Sequence, residues 1–328
     1  MTKSTKNSKR KFPLCGKILF SLLIIVALGT GIAIGTVYKT LSKLNNVDIS
    51  NEDLGIVAVE ELEQYDNYKK ITNIALFGID SEDGVGRSDS IMVATIDPVH
   101  DKLKITSIMR DSYVNIDGHG YDKINHAYAF GKAPLAIKTI NESFGLNIQD
   151  FVAVDFNSLP YIIDLLGGIE LNITNEELNY INFYINEINS LDNTTSLNIT
   201  TSGLQHVDGV QALAYSRIRY TSGGDYERTQ RQRTVLNALF DKALNISPTK
   251  YLNLINDILP HVQTSLSAND ILSLATKVVT MGGGSLEQER FPRDEYCQGE
   301  MINGVYYLTF DEATTKQQMM NYIFDDKK

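Results

Sequence analysis

The chain has few cysteines and lacks the short motifs that mark zinc enzymes and disulfide oxidoreductases. Only two of its 328 residues are cysteines, and only Cys297 falls after residue 44, so this larger part contains no internal disulfide. HExxH and CxxC are absent, and the five histidines show no metal-ligand spacing. No Ser-His-Asp order supports a serine protease. The part that follows residue 70 is long enough to fold on an apolar core alone.

Acidic residues are absent from the first 43 positions, which hold eight Lys or Arg. Six of these precede Ile18–Val37, a run of 20 uncharged and almost wholly apolar residues, which is long enough to cross a bilayer as a helix. The excess of positive charge before the run places the N-terminus in the cytoplasm. We therefore predict a cytoplasmic basic tail at residues 1–17 and a transmembrane signal anchor at residues 18–38. A cleaved signal peptide is the alternative, but the run exceeds its usual ~7–15 apolar residues and no A-x-A site follows.

Negative charge dominates the rest of the chain. From Leu44 to Lys328 there are 22 basic and 40 acidic residues, a formal charge of −18. Such a surface repels nucleic acid, so no nucleic-acid partner is expected. Residues 39–70 are weakly patterned and are predicted to form a linker or stalk, and residues 71–328 an extracellular domain. The protein is thus predicted to be a single-pass type II protein of the cell membrane.

Strand and helix patterns alternate after residue 70. Short apolar runs rich in β-branched residues occur at residues 73–80, 91–97, 102–109, 151–156 and 169–173. Helical patterns occur at residues 134–144, 158–168, 208–218, 227–244, 249–259 and 268–280, followed by a strand pair and a last helix. Residues 176–197 are predicted to form a helix plus a loop. Interleaving of this kind predicts an α/β fold, a single α/β/α sandwich domain with a mixed central sheet.

Arginine is scarce and unevenly distributed. Seven of the ten arginines fall in three short segments: Gly86–Asp89, Met109–Asp111 and Ser216–Arg233. Twenty lysines already provide surface charge, so solubility does not require this clustering. The guanidinium group is a planar fork of donors that matches the paired oxygens of phosphate or carboxylate. The clusters therefore indicate a site for a multiply charged anion, with ordinary surface ion pairs as the alternative.

Aspartates accompany the arginines at the predicted strand ends. Asp80 ends the first strand, Asp89 lies in the segment that opens the second, and Arg110 follows the third. Open α/β sheets bind ligands at such an edge. Two carboxylates combined with water and substrate phosphates can hold Mg²⁺. These aspartates are therefore candidate metal ligands, although aspartates near loops also serve as caps and turn formers.

The last arginine segment continues into a predicted helix. Asp225 is a preferred N-cap residue for a helix that begins near Tyr226. Arg228 and Gln232 are four residues apart and share one helix face, with Arg231 beside them. Donors and the positive end of the helix dipole then point the same way, which suits a phosphate group. A solvated face with intrahelical ion pairs is the alternative.

The predicted location restricts the chemistry that such an anion site can perform. No ATP is maintained outside the membrane, so phosphoryl transfer there needs a donor that arrives already activated. A lipid-linked pyrophosphate meets this requirement, and a membrane anchor would hold the protein near it.

Several of these segments together resemble the LytR-CpsA-Psr family of bacterial cell-envelope proteins. The resemblance rests on GRSDSIMVATIDP, ITSIMRDSYV, DKINHAYAFG, VDFNSLPYIIDLLGGIELNI, GLQHVDGVQALAYSRIRY and DYERTQRQRTVL, which lie in order within residues 73–244. It implies a core pocket for a polyprenyl chain, lined by the apolar runs 91–96, 151–156 and 161–166. It also implies a phosphotransferase that moves a polyprenyl-pyrophosphate-linked glycopolymer, such as teichoic acid or capsule, to peptidoglycan through a phosphodiester.

The resemblance also assigns roles to single residues. Asp80 and Asp89 match the aspartates associated with Mg²⁺, for which Mn²⁺ is an alternative. The residues that match the pyrophosphate-binding set are Arg87, Arg110, Lys123, Arg217, Arg219, Arg228 and Gln232. Arg110 matches the arginine regarded as essential, and with Asp89 and Asp225 it forms the candidate catalytic group.

Two other functions use the same residues. A membrane-bound sensor or attenuator would bind the polyprenyl-phosphate lipid without turnover. A lipid pyrophosphate hydrolase would use water in place of a sugar hydroxyl. The sequence does not separate transfer from hydrolysis, because an acceptor groove leaves no short motif.

Overall fold

The computed structural model describes residues 45–80, 86–155, 158–221, 224–244, 254, 257–281 and 285–328. The predicted tail at residues 1–17 and the signal anchor at residues 18–38 lie outside these ranges, as does most of the helix predicted at residues 249–259. Within these ranges, no helix is both long enough and apolar enough to span a membrane.

A seven-stranded mixed sheet forms the centre of the described part. The strands, numbered in chain order, are Asn45–Asn46 (β1), Thr72–Asp80 (β2), Arg87–Asp97 (β3), Lys102–Ile108 (β4), Tyr113–Ile116 (β5), Gly120–Lys123 (β6), Asp150–Asp155 (β7), Ile169–Ile173 (β8), Gly203–Val207 (β9), Val262–Thr264 (β10), Ser285–Phe291 (β11), Cys297–Ile302 (β12) and Val305–Phe310 (β13). The central sheet has the order β1-β10-β7-β2-β3-β4-β11, and the pairs β5–β6, β8–β9 and β12–β13 are separate.

The register of the sheet brings the predicted strand ends together. β2 runs antiparallel to β3 with Asp80 opposite Arg87, and β3 runs antiparallel to β4 with Ile91 opposite Ile108. The end of β2, the start of β3 and the end of β4 therefore lie at one edge of the sheet, where Asp80, Asp89 and Arg110 were predicted to meet.

Helices cover both faces of this sheet. In chain order they are Val59–Leu62 (α1), His126–Phe144 (α2), Leu159–Leu165 (α3), Asn175–Asp192 (α4), Gly209–Arg217 (α5), Gly224–Leu244 (α6), Ala268–Thr280 (α7) and Glu312–Asp325 (α8). The main core lies between the sheet and helices α2 and α8, where Phe77 of β2 belongs to the same buried cluster as Ile137 and Tyr322. Full burial of one such side chain stabilises the fold by about 1.5–3 kcal/mol. This arrangement confirms the predicted α/β fold with a mixed central sheet.

A second core joins α3, α4, α5 and α6 to the β8–β9 hairpin, with Ile163, Ile181 and Leu213 buried at its centre. Gly209 at the start of α5 permits a close approach to α3, because a Cβ at this position would lie 2.0 Å from the carbonyl oxygen of Pro160. A larger residue would therefore displace the helix that ends at Arg217.

Helix α2 begins earlier than the sequence pattern predicts. It runs from His126, with non-helical backbone at Gly131 and Lys132, where Lys132 has φ 56°. The pattern predicted from Pro134 thus marks the part after this kink, because the kink interrupts the apolar periodicity. His126, interpreted from the sequence as a structural residue at a helix start, is the first residue of the helix.

Residues 45–70 are packed into the domain. Ile49, Leu54, Val57, Leu62 and Tyr65 are buried in the main core, and β1 pairs with β10 in the central sheet. This segment therefore belongs to the folded domain rather than to the predicted stalk.

Candidate functional site

An apolar cavity of about 220 Å³ lies between the sheet and helices α3, α5 and α6. Its sheet wall comes from positions that alternate away from the main core, including Leu76 of β2 and Val152 of β7, which are only half-buried. The full lining is Leu76, Phe77, Gly78, Ser90, Met92, Val152, Val154, Leu159, Ile162, Ser216, Gln232, Val235, Leu236 and Leu239. Each of the three apolar runs predicted to line a pocket contributes at least one of these residues. This cavity suits an apolar ligand.

A polar cavity of about 330 Å³ adjoins the apolar one. Ser216 and Gln232 line both. The lining of the polar cavity is Asp80, Asp89, Phe183, Tyr184, Glu187, Ser216, Arg217, Arg219, Tyr220, Arg228 and Gln232. A ligand that occupies both spaces must therefore have an apolar part and a polar, anionic part.

Three arginines line the polar cavity, together with the carboxylates of Asp80, Asp89 and Glu187. Arg217 is the last residue of α5, Arg219 follows two residues later, and Arg228 lies in the first turns of α6. Arg228 is only 3% exposed, whereas Arg219 is half exposed. Arg228 and Gln232 both line the cavity, in agreement with their predicted common helix face. Partly desolvated guanidinium groups bind phosphate more strongly than surface groups in water, because the local dielectric constant is lower.

Asp89 lines the polar cavity and also contacts charged residues that do not line it. Its Oδ2 accepts a hydrogen bond from Nη1 of Arg110 and lies 3.9 Å from Nη2 of Arg219. Its Oδ1 accepts a hydrogen bond of 3.1 Å from Nδ2 of Asn125. Each carboxylate oxygen of Asp89 thus accepts a hydrogen bond, at the end of the sheet where β2 ends and β3 begins.

Asp111 and Lys123 extend this set of charged contacts. Oδ2 of Asp111 lies 3.6 Å from Nε of Arg110, and Oδ1 accepts a hydrogen bond of 2.7 Å from Nζ of Lys123. Burial raises the pKa of Asp111, but the positive charges of Arg110, Lys123 and Arg228 outweigh burial and hold the pKa below its ordinary value of 3.8. Asp111 is therefore ionised at neutral pH, and its negative charge balances the positive charge of Arg110.

The structure brings most, but not all, of the predicted site residues into the cavity. Those that line it are Asp80, Asp89, Arg217, Arg219, Arg228 and Gln232. Arg110 and Lys123 are not lining residues and connect to it through Asp89 and Asp111. Arg87 is exposed opposite Asp80 and does not line the cavity either. Asp225 lies in the first turn of α6, but its side chain is outside the described part of the structure.

Arg231, unlike Arg228 in the same segment, does not line the polar cavity. Its guanidinium nitrogens bond to protein groups. Its Nε donates to Oε1 of Glu177 at 2.7 Å, and its other nitrogens donate to the carbonyl oxygen of Ile218 at 3.1 Å and to Oγ1 of Thr221 at 2.8 Å. Arg231 therefore fixes the segment that carries Arg219 against α4.

Sequence reasoning missed the wall that α4 contributes. Phe183, Tyr184 and Glu187 line the polar cavity, together with Tyr220. Phe183 and Tyr220 are well exposed, while burial raises the pKa of Tyr184. The one available signal was the aromatic pair Phe183–Tyr184 within a polar helix, which does not by itself reveal what the helix faces. Asn125, which binds Asp89, was also missed.

A polar cavity with three arginines adjoins an apolar cavity, and in this α/β fold the pair suits an amphiphile with an anionic head group. The sequence model of the LytR_cpsA_psr family matches residues 33–323, so the chain belongs to this family.

Named relatives and solved structures agree with this assignment. The polyisoprenyl-teichoic acid–peptidoglycan teichoic acid transferase TagU of Oceanobacillus iheyensis is 32% identical over 326 residues, 94% of this chain and 92% of that protein. A structure described as TagT bound to LIIa-WTA has 25% identity and a TM-score of 0.64, and covers 85% of this chain and 99% of that one. A structure of TagT with bound octaprenyl pyrophosphate lipid shares the fold at 24% identity and a TM-score of 0.61, over 86% of this chain and 99% of that chain.

Proposed function

We propose that this protein transfers a polyprenyl-pyrophosphate-linked anionic glycopolymer to peptidoglycan and forms a phosphodiester. The observation that carries the proposal is the junction of the two cavities at Ser216 and Gln232. The apolar cavity would take the first part of the polyprenyl chain, and the arginine-lined cavity would take the pyrophosphate. The relatives named as teichoic acid transferases support a wall teichoic acid or a similar polymer as the transferred group.

The proposed reaction needs no nucleotide, because the pyrophosphate of the donor is already activated. An acceptor hydroxyl oxygen bonds to the phosphorus that carries the glycopolymer. The bond from that phosphorus to the bridging oxygen breaks, and polyprenyl phosphate leaves with the electron pair. Arg217, Arg219 and Arg228 stabilise the charge that develops on the leaving phosphate. Asp89 and Asp225 are the candidate acceptors of the hydroxyl proton.

Mg²⁺ fits the residues at the sheet edge, with Mn²⁺ as an alternative. Among the described residues no three His, Cys, Asp or Glu side chains form a metal-binding group. Mg²⁺ nevertheless commonly uses only one or two carboxylates with water and substrate phosphates, and Asp80 and Asp89 line the same cavity. These two residues would hold the ion, which when bound neutralises charge on the donor pyrophosphate.

The metal proposal predicts that Asp80→Asn and Asp89→Asn each abolish Mn²⁺ binding, because each removes a charged ligand with little change in shape. Paramagnetic resonance of Mn²⁺ titrated with the protein measures this directly. Asp117→Asn is the control, since Asp117 is an exposed carboxylate that pairs with Lys138. Full Mn²⁺ affinity in Asp89→Asn would remove that residue from the site.

We propose a single-pass type II topology, with a cytoplasmic tail at residues 1–17, a membrane anchor at residues 18–38 and the folded domain outside. Protease added to intact, wall-stripped cells should then release the domain and leave the tail. Protection of the domain would contradict this topology.

The transfer itself is tested with the full-length protein in detergent. The reaction contains a lipid-pyrophosphate-linked saccharide, Mg²⁺ and peptidoglycan fragments, without nucleotide. We expect saccharide joined to glycan through phosphate, detected by mass spectrometry. Free saccharide phosphate alone would show a hydrolase, and tight lipid binding without turnover would show a sensor or attenuator.

A further inference from the structure

Three tyrosine rings form a row on the described surface, outside the linings of both cavities. Tyr121 of β6 packs against Tyr113 of β5 with ring centroids 5.2 Å apart. Tyr113 packs against Tyr307 of β13 at 4.7 Å. Tyr121 is 54% exposed, so the outer end of the row faces solvent. We call Tyr121, Tyr113 and Tyr307 the tyrosine row.

Charged side chains join the tyrosine row to the polar cavity. Nζ of Lys123 lies 5.8 Å from the ring centroid of Tyr307 and 2.7 Å from Oδ1 of Asp111. Asp111 lies beside Arg110, which binds Asp89. A continuous set of contacts therefore leads from the row to a carboxylate that lines the cavity.

Hydrogen-bonding groups border the rings. The hydroxyl of Tyr307 donates to Oδ1 of Asp122 at 3.4 Å, and Oδ2 of Asp122 lies 2.8 Å from Nδ1 of His126. Beside them His119 stacks on the exposed ring of Phe130 with centroids 4.2 Å apart. Aromatic faces suit the apolar C–H faces of sugar rings, while imidazole and carboxylate groups suit hydroxyl and amide groups.

Stabilisation of the hairpins explains only part of this arrangement. Cross-strand aromatic pairs stabilise sheets, which accounts for the contact of Tyr113 with Tyr121 in the β5–β6 pair. Such a role does not require Tyr121, Phe130 and Tyr306 to be exposed together, yet each is at least 43% exposed. A group of exposed aromatic side chains beside a candidate reaction site is typical of a binding surface.

We propose that the tyrosine row binds the acceptor glycan strand and directs its hydroxyl toward Asp89; this inference rests on the proposed transferase function. The first sugar of the donor is attached to the pyrophosphate and must lie at the mouth of the polar cavity, where Phe183 and Tyr220 are located. The tyrosine row contributes no lining residue and approaches Asp89 from the side of Arg110. It is therefore available to the second substrate.

Steady-state kinetics with each substrate varied in turn test the assignment. Tyr121→Ala should raise the KM for peptidoglycan fragments about tenfold, because one aromatic face is lost. The KM for the lipid-linked donor and kcat should stay within about twofold. Tyr121→Phe keeps the ring and should behave as the unchanged protein. An unchanged acceptor KM in Tyr121→Ala, or an equal rise in the donor KM, would overturn the inference.

Leu204→Ala is the matched control, because Leu204 is 72% exposed on the separate β8–β9 hairpin. It removes exposed apolar surface without touching the tyrosine row, so neither KM should change. Thermal unfolding of Tyr121→Ala and Leu204→Ala should agree with that of the unchanged protein. A drop confined to Tyr121→Ala, together with a lower kcat, would mean that the row only supports the fold.

A binding measurement separates failure of this inference from failure of the proposed function. Soluble glycan fragments released from peptidoglycan are titrated into the full-length protein by calorimetry, without donor. Binding that weakens about tenfold in Tyr121→Ala supports a glycan surface even if no transfer is seen. Transfer with glycan binding that is independent of Tyr121 would refute the inference alone.

Discussion

Replacing Arg110 by lysine is expected to lower turnover at least about 10²-fold, on the order of 3 kcal/mol of transition-state stabilisation. The guanidinium of Arg110 faces two carboxylates, with Nη1 bonded to Asp89 and Nε 3.6 Å from Asp111. Lysine keeps the charge, but its compact ammonium group cannot reproduce this planar fork. Asp89 would then lose its fixed position between Arg110 and the donor site. Single-turnover transfer with the lipid-linked saccharide measures the effect.

Arg293→Lys is the control for this substitution. Arg293 pairs with Glu289 at 3.3 Å and lines neither cavity, and lysine at this position keeps the positive charge. Turnover should therefore be unchanged. Thermal unfolding of Arg110→Lys should also change little, because Asp111 keeps a positive neighbour. Near-normal turnover of Arg110→Lys would show that Arg110 serves the fold and not the reaction.

The location of Asp80 and Asp89 at one end of the sheet could be predicted, because it follows from the local sequence pattern of two consecutive strands. Asp80 ends an apolar run and Asp89 lies just before the next one, so antiparallel pairing of the two strands predicts that both lie at the same end of the sheet. The register shift between Gly78 and Ile79, which leaves Asp89 without a partner in the strand pair, was not predicted. The spacing of Arg228 and Gln232 likewise follows from the helical repeat. Both pairs line the polar cavity.

The roles of neighbouring arginines could not be separated from the sequence. Arg228 and Arg231 differ by three positions, yet one lines the cavity and the other binds Glu177, which is 54 residues away. The partner is set by the packing of α6 on α4, and no short-range spacing encodes that contact. The same reason explains why Phe183 was missed and why the contact of Lys123 with Asp111 was not predicted.

Residues 45–70 illustrate a different difficulty. Ile49, Leu54, Val57, Leu62 and Tyr65 are spaced irregularly among acidic residues and follow neither the helical nor the strand repeat. Their burial comes from contacts with the main core, which local pattern does not record. An irregular but apolar segment was therefore interpreted as a stalk.

Replacing Arg231 by methionine is expected to lower the free energy of unfolding by about 3–5 kcal/mol, because it leaves the buried Glu177 without its ion-pair partner. Glu177 cannot turn to solvent easily. Its Oε2 accepts hydrogen bonds from the backbone nitrogen and the hydroxyl of Thr174, at 2.8 and 3.0 Å, in the capping box that begins α4. Urea unfolding followed by circular dichroism measures the change at neutral pH.

The double variant Arg231→Met/Glu177→Gln tests the physical cause. Glutamine removes the buried charge and can still accept the hydrogen bonds of the cap, so roughly half of the lost stability or more should return. Lys327→Met is the control, since its ion pair with Asp325 is exposed and should contribute less than about 1 kcal/mol.

Arg231 also fixes the segment that carries Arg219, through its hydrogen bonds to Ile218 and Thr221. Arg231→Met should therefore raise the donor KM in conditions where the protein remains folded. A loss of less than about 1 kcal/mol in the free energy of unfolding of Arg231→Met would contradict this account, because an unpaired buried carboxylate destabilises the fold by more than that.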